Sequence, residues 1–262
     1  MRIGRLGLAL CALLASVGVG ALRPPQRVVQ IGDGLQVLSG RGGAARATEL
    51  VRYDETDLTL AASFTVADGE LRLTGEPGRD PTSIWATVAH LLPLDARSRI
   101  RQLNLVTDGP AGTLAMVHRS LSEPDTWILS VDYAESDAVL RRTIVHELAH
   151  IYTLGERDVS ASRSGCAQLL LDVGCVQRSS ILARYADAFR PNRDEPGVFK
   201  PGLFVSQYAA SSAHEDLAET FMAWVFDDPL EAPALAARAE FLAAEPTLAT
   251  ARDWVRAALN GA

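Results

Sequence analysis

Ser136-Asp137-Ala138-Val139-Leu140-Arg141-Arg142-Thr143-Ile144-Val145-His146-Glu147-Leu148-Ala149-His150-Ile151-Tyr152-Thr153-Leu154-Gly155 is the stretch on which the fold turns. Ser136 or Asp137 can cap a helix start and Gly155 can end it, so the spacing predicts one buried helix between them. Residues four apart share a helix face. His146 and His150 can therefore grip one metal ion, with Glu147 in reach of a water bound to it. A His-Glu-x-x-His match can arise by chance, and its weight here comes from the helix that carries it.

Upstream of this helix the pattern is that of a sheet. Leu58 to Val66 and Glu70 to Thr74 alternate and are broken by Asp68-Gly69, which reads as a hairpin. Pro81 to Leu92 places Ile84, Trp85, Val88, Leu91 and Leu92 on one helix face. Gln102 to Thr107, Thr113 to His118 and Trp127 to Tyr133 read as three short strands. Downstream, Glu156 to Ala213 is irregular apart from a helix around Ser180 to Phe189. A strong helix from about Ala213 to Phe226, stopped by Pro229, comes next, and further helices fill Ala232 to Leu259. His90 and His118 read as ordinary helix and sheet histidines. The fold class is α+β, with a small mixed sheet and helices first and a mainly helical half after.

Two histidines leave a catalytic zinc one protein ligand short, since such sites take three and keep a position for water. The later helix offers His214-Glu215-Asp216-Leu217-Ala218-Glu219. Glu215 and Glu219 lie four apart on one face. Glu215 is the expected third ligand, and Glu219 the carboxylate that accepts the free N–H of a ligand histidine. Asp216 and His214 are the alternatives, each expected on a different side of the helix from Glu219. Ser212-x-x-Glu215 also reads as a capping box, a use that competes with metal binding if the carboxylate folds back onto the helix start.

The two motifs together resemble the gluzincin branch of the zinc metalloproteases. Tyr208-Ala209-Ala210-Ser211-Ser212-Ala213-His214-Glu215-Asp216-Leu217-Ala218-Glu219-Thr220-Phe221 is similar to the Tyr-x6-Glu-x-x-Ala-Glu-x-Phe pattern of anthrax lethal factor-like and Pro-Pro endopeptidase-like enzymes. The resemblance spans about Val139 to Phe226. It implies a zincin-like fold over 81–262, with a cleft between its two halves, and one catalytic zinc. It also implies that Tyr208 reaches the substrate carbonyl. From the residues alone, Tyr208 reads equally well as a strand or loop aromatic packed on the core. Nothing from Leu22 to Glu76 matches the family, so substrate preference does not carry over.

The chain has 262 residues, 48% of them hydrophobic, enough for a substantial core. Arg2 and Arg5, the apolar run Leu6 to Val19 and the small residues Val19-Gly20-Ala21 outline a signal peptide at 1–21. The run is shorter than the ~20 residues of a membrane span. Leu8-Ala9-Leu10 lacks the small residue expected beside a lipidated Cys11. Residues 22–80 form a β-rich segment of unknown role, without a cysteine or aspartate switch motif of an inhibitory pro-segment. Loss of 1–21 removes two arginines and no acid, taking the net charge from −7 to −9. An acidic chain without basic clusters argues against nucleic acid and anionic membranes as partners. In an oxidising periplasmic or extracellular setting, the two remaining cysteines, Cys166 and Cys175, favour a disulfide. Their nine-residue separation is unlike the Cys pairs of structural zinc sites.

The expected activity is hydrolysis of a peptide or protein substrate, with Glu147 as general base. The alternatives are a zinc amidase or deacylase acting on a non-peptide or cell-wall amide, and a non-catalytic binding module of the same shape.

Overall fold

The two central strands are covered on both faces, one of them as a mainly apolar run and the other with Arg101, Gln102 and Asn104 buried among its apolar residues. They are Ile100–Thr107 and Trp127–Asp132, buried along almost their whole length and paired in parallel. The computed structural model describes residues 58–73, 80–107, 112, 114–120, 122–123, 125–190 and 197–261. The expected signal segment, 1–21, and most of the 22–80 segment lie outside the described residues.

Strands β1 (Thr59–Ala67), β2 (Glu70–Arg72), β3 (Ile100–Thr107), β4 (Ala115–Arg119) and β5 (Trp127–Asp132) form a mixed sheet in the order β2-β1-β3-β5-β4. Every pairing but β3 with β5 is antiparallel. The β1–β2 hairpin turns at Asp68 and Gly69, whose φ angles of 55° and 75° suit a two-residue turn with both central residues left-handed. One face of the sheet presents Leu103, Leu105, Leu129 and Val131 to the main core. The other carries a polar group, in which Ser63 Oγ and Gln102 Nε2 donate to Asn104 Oδ1, beside a small cluster of Leu58, Val106 and Ile128.

Helices α1 (Thr82–Leu91) and α3 (Asp137–Thr153) pack into the main core, and the short α2 (Leu94–Arg97) links α1 to β3. Ser136 caps α3, its side chain accepting the N–H of Val139, and Leu154 ends it. The boundaries and the buried face of α1 are those its periodicity predicts.

The helical half comprises α4 (Ile181–Phe189), α5 (Gln207–Ser211), α6 (Ala213–Val225), α7 (Pro233–Ala243) and α8 (Pro246–Leu259). The architecture is α+β, a mixed sheet with helices followed by a helical half. Glu156 to Ala213 is more ordered than its sequence pattern predicts. It holds β6 (Val159–Ser160), β7 (Leu170–Leu171) and β8 (Gly174–Val176) in a three-stranded sheet of order β6-β8-β7, together with α5. Cys166 and Cys175 are joined by a disulfide. Among the described residues, no helix is long and apolar enough to cross a membrane.

On α6, Asp216 is fully buried and meets Arg238 through Nε and Nη2, with Arg190 Nη1 at 3.8 Å. A buried carboxylate needs such partners, because an unpaired charge in the interior costs several kcal/mol. This pair anchors the flank of α6 next to the one that carries Glu215 and Glu219, and so helps to set the rotation of the helix.

Candidate metal centre

From Thr143 to Ile151, helix α3 is buried on every side. His146, Glu147 and His150 lie inside that stretch, each no more than 6% exposed. Three ionisable side chains in an apolar helix are costly unless they meet compensating charge or a metal. Compensating charge comes from α6, whose core residues Leu217, Phe221 and Met222 leave Glu215 and Glu219 to face α3.

His146 Nε2 lies 3.0 Å from His150 Nε2. Oε2 of Glu215 is 3.0 Å from the first and 3.4 Å from the second. The three ligand atoms fall within 4.8 Å of one another, the arrangement of a group able to hold a metal ion. Glu215 Oε2 is buried without an aligned hydrogen-bond donor despite these short approaches, and His150 Nδ1 is also unpartnered. Lone pairs that converge without a proton to share fit a bound cation.

The surrounding charges act in the same direction. Burial opposes a charge on His146, yet Glu215 and Glu219 hold its pKa well above 6.5. A field that favours a proton there favours a cation. For His150 burial prevails and lowers the pKa. Burial also opposes the Glu215 charge, but the imidazoles of His150, His146 and His214 keep that carboxyl well below its ordinary range.

Glu219 accepts from His146 Nδ1 at 2.9 Å, which leaves Nε2 free to face the group. Its other oxygen accepts the Ser206 hydroxyl at 2.6 Å. Ser206 also caps α5, accepting from the N–H of Ala209.

Glu147 points the other way, towards the sheet. Its Oε2 accepts the backbone N–H of Val117 on β4 at 3.0 Å. Burial pushes this carboxyl up from 4.5 to about 7, against the pull of His146 and of that N–H. A carboxyl poised near neutrality beside a metal-ligand group is in the range of a general base.

Tyr208 is not on a strand or loop. It sits on α5, its ring stacked on His146 with centroids 5.8 Å apart and its hydroxyl within the field of Glu215. Burial, followed by the Glu215 charge, holds its pKa well above 10. The alternatives for the third ligand separate cleanly. Asp216 turns to Arg238, whereas His214, expected on a different side of the helix, lies beside the group with its ring 5.8 Å from that of His150.

The two uses of Glu215 do not compete. Its backbone N–H donates to Ser212 Oγ at 3.3 Å while its carboxylate faces the histidines. The capping box is half made, and the half that is made leaves the side chain free. His118 is buried in β4, and His90 meets the carbonyl of Ala258 at 2.9 Å. A cavity of about 520 Å³ lies elsewhere, at the N-terminal end of α3, lined by Asp80, Ser83, Asp132, Glu135 and Asp137 among others. It contains none of the metal-centre residues.

Ser206, the Val117 N–H and the orientation of His214 escape sequence reasoning. The first could have been found as a cap serine six residues before the capping box. The second is a backbone group and has no sequence signal. No family model, curated protein or solved structure matches the chain.

Proposed function

We propose that the chain is an exported zinc-dependent peptidase, with His146, His150 and Glu215 as the metal ligands. The observation that carries this reading is Glu147. A closed structural metal site has no use for a further buried carboxyl, beyond those of Glu215 and Glu219, held near neutral pKa and tied to a sheet edge. The donor set suits zinc: two imidazoles and one carboxylate, with separations of 3.0 to 3.4 Å. These are close to the ~3.4 Å edge of a tetrahedron with bonds of about 2.0–2.1 Å. The Cys166–Cys175 disulfide supports an oxidising compartment.

A zinc ion bound there would supply Lewis-acid polarisation of a carbonyl and a water acidified towards neutrality. Glu147 takes the proton of the attacking water and delivers it to the leaving amine. Glu219 keeps His146 in the tautomer that presents Nε2. The Tyr208 hydroxyl, by the family resemblance, donates to the developing oxyanion.

The β4 edge offers the substrate a place to lie. Asp132 N–H donates to Leu114 O, and Ser120 N–H to Thr126 O. In that alternation Met116 and His118 bond to β5, while Ala115, Val117 and Arg119 turn their backbone groups outwards. An extended peptide can add there as a further strand through Ala115, Arg119 and the Val117 carbonyl, the Val117 N–H being held by Glu147.

The test is a mass-spectrometric cleavage screen of a diverse peptide library, with the zinc-loaded protein and its Glu147→Gln variant side by side. Internal cuts that vanish in the variant are the expected result. A zinc-binding protein that cuts nothing would overturn the peptidase reading in favour of a non-peptide amide. A fully active variant would remove Glu147 from the mechanism.

A further inference from the structure

The metal-centre reading leaves one neighbouring side chain unused. Ser212 caps α6 and His214 is the second residue of that helix, a position where a side chain ordinarily faces solvent. Here the ring turns inwards, and the side chain is only 19% exposed. Its Nδ1 lies 3.0 Å from Ser212 Oγ, and its Nε2 lies 3.3 Å from Oε1 of Glu215. The Ser212 oxygen already accepts the Glu215 N–H. Its own hydroxyl proton is therefore available to donate to Nδ1. A neutral imidazole that accepts at Nδ1 carries its proton on Nε2, and that N–H is the group beside Oε1.

Glu215 is thus made asymmetric. Oε1 is occupied by His214, while Oε2 alone stands 3.0 and 3.4 Å from the Nε2 atoms of His146 and His150. His214 lies outside the group of three residues whose ligand atoms converge. Carboxylates bind zinc through one or two oxygens, and a donor fixed on one oxygen selects the single-oxygen mode.

We infer that His214 is a positioning residue of the metal centre: with its tautomer set by Ser212, it holds Oε1 of Glu215 and presents Oε2 alone to the metal. The inference rests on the metal-centre reading. It adds that the chain segment Ser212-Ala213-His214-Glu215 works as one unit, in which the cap of the helix also orients the ligand. A purely local alternative exists, in which the Ser212–His214 contact only trims the helix start.

The experiment compares wild type, His214→Ala and His214→Gln as purified full chains. Three quantities are read for each: zinc affinity by competition with a chromophoric chelator, the visible spectrum of the cobalt-substituted protein, and the melting temperature without metal. The inference expects His214→Ala to lose about tenfold or more in zinc affinity, the range seen when a partner of a metal ligand is removed. It also expects the cobalt bands to change in shape, with an unchanged metal-free melting temperature. His214→Gln, whose amide N–H can reach the same oxygen, should recover most of the affinity and the wild-type bands.

Identical affinity and cobalt spectrum in wild type and His214→Ala would overturn the inference and leave the metal centre standing. Lowered affinity accompanied by a lowered melting temperature, and not restored by glutamine, would also overturn it by assigning His214 to the helix start. A wild-type chain that binds no stoichiometric zinc or cobalt would overturn the metal-centre reading itself.

Discussion

The backbone N–H of Val117 donates to Oε2 of Glu147 at 3.0 Å, so the edge strand of the sheet and the motif helix meet at the proposed base. The Val117 N–H points away from β5, and its loss breaks no ladder hydrogen bond. Proline there leaves the β4–β5 ladder intact and puts its ring carbon in place of the donor that faces Glu147. Val117→Pro should therefore keep the fold and the zinc while lowering kcat by on the order of tenfold or more, because Glu147 loses the donor that orients it. Circular dichroism and metal content check the first half and steady-state kinetics the second. Unchanged kcat would show the contact to be incidental.

Glu219→Ala removes the partner of His146 Nδ1 and also strands Ser206 Oγ. Zinc affinity should fall by about ten- to a hundredfold, the usual cost of losing a carboxylate that orients a ligand histidine. Chelator competition measures it directly. An affinity equal to wild type would mean that the ring is held by packing alone.

For Tyr208→Phe the expectation is a split. The ring keeps its stacking on His146, so metal content should hold, while kcat drops by on the order of a hundredfold with the loss of one oxyanion donor. A change confined to KM would assign the hydroxyl to substrate binding instead.

Stability of the metal-free chain should fall as pH rises through the range set by Glu147. This carboxyl releases its proton at about 7 when folded, against an ordinary 4.5. Between those values the folded chain holds a proton that the unfolded chain has lost. The cost is absent below the lower value and complete above the upper one, on the order of 3 kcal/mol. Glu147→Gln cannot ionise there. It should gain stability over wild type with increasing pH across that window, as read by urea denaturation at a series of pH values. A difference that does not vary with pH would rule out a neutral buried carboxyl.

Arg238→Met should destabilise the fold by about 3–5 kcal/mol, because Asp216 keeps a fully buried carboxylate with Arg190 at 3.8 Å and the Thr220 hydroxyl at 3.5 Å left beside it. Chemical denaturation tests this. Zinc affinity should fall as well, since the pair sets the rotation of α6. A loss of stability under 1 kcal/mol would show that Asp216 finds another partner or a proton.

Helix α3, α6 and the three strands between α1 and α3 were legible because each carries a strong period or a continuous apolar run with caps at its ends. The pairing of Glu215 and Glu219 with the two histidines followed from four-residue spacing on each helix. The short elements α2, β6, β7, β8 and α5, of two to five residues each, carry no such signal, and the sequence pattern does not reveal them. The helical setting of Tyr208 is hidden with them, because the start of α5 is marked by a single capping serine. The supposed conflict at Glu215 arose from treating a capping box as indivisible, whereas only its serine half is formed. The Asp216–Arg238 pair was invisible, since twenty-two residues separate its members and no helix spacing relates them.

The metal-binding group is also split along the chain. Its histidines belong to α3, while Glu215, Glu219 and Tyr208 come from α5 and α6, some sixty to seventy residues later. On the ribosome, the histidines emerge well before any of those partners exist. A nascent chain therefore has no complete cation cage until most of the helical half has been made and packed.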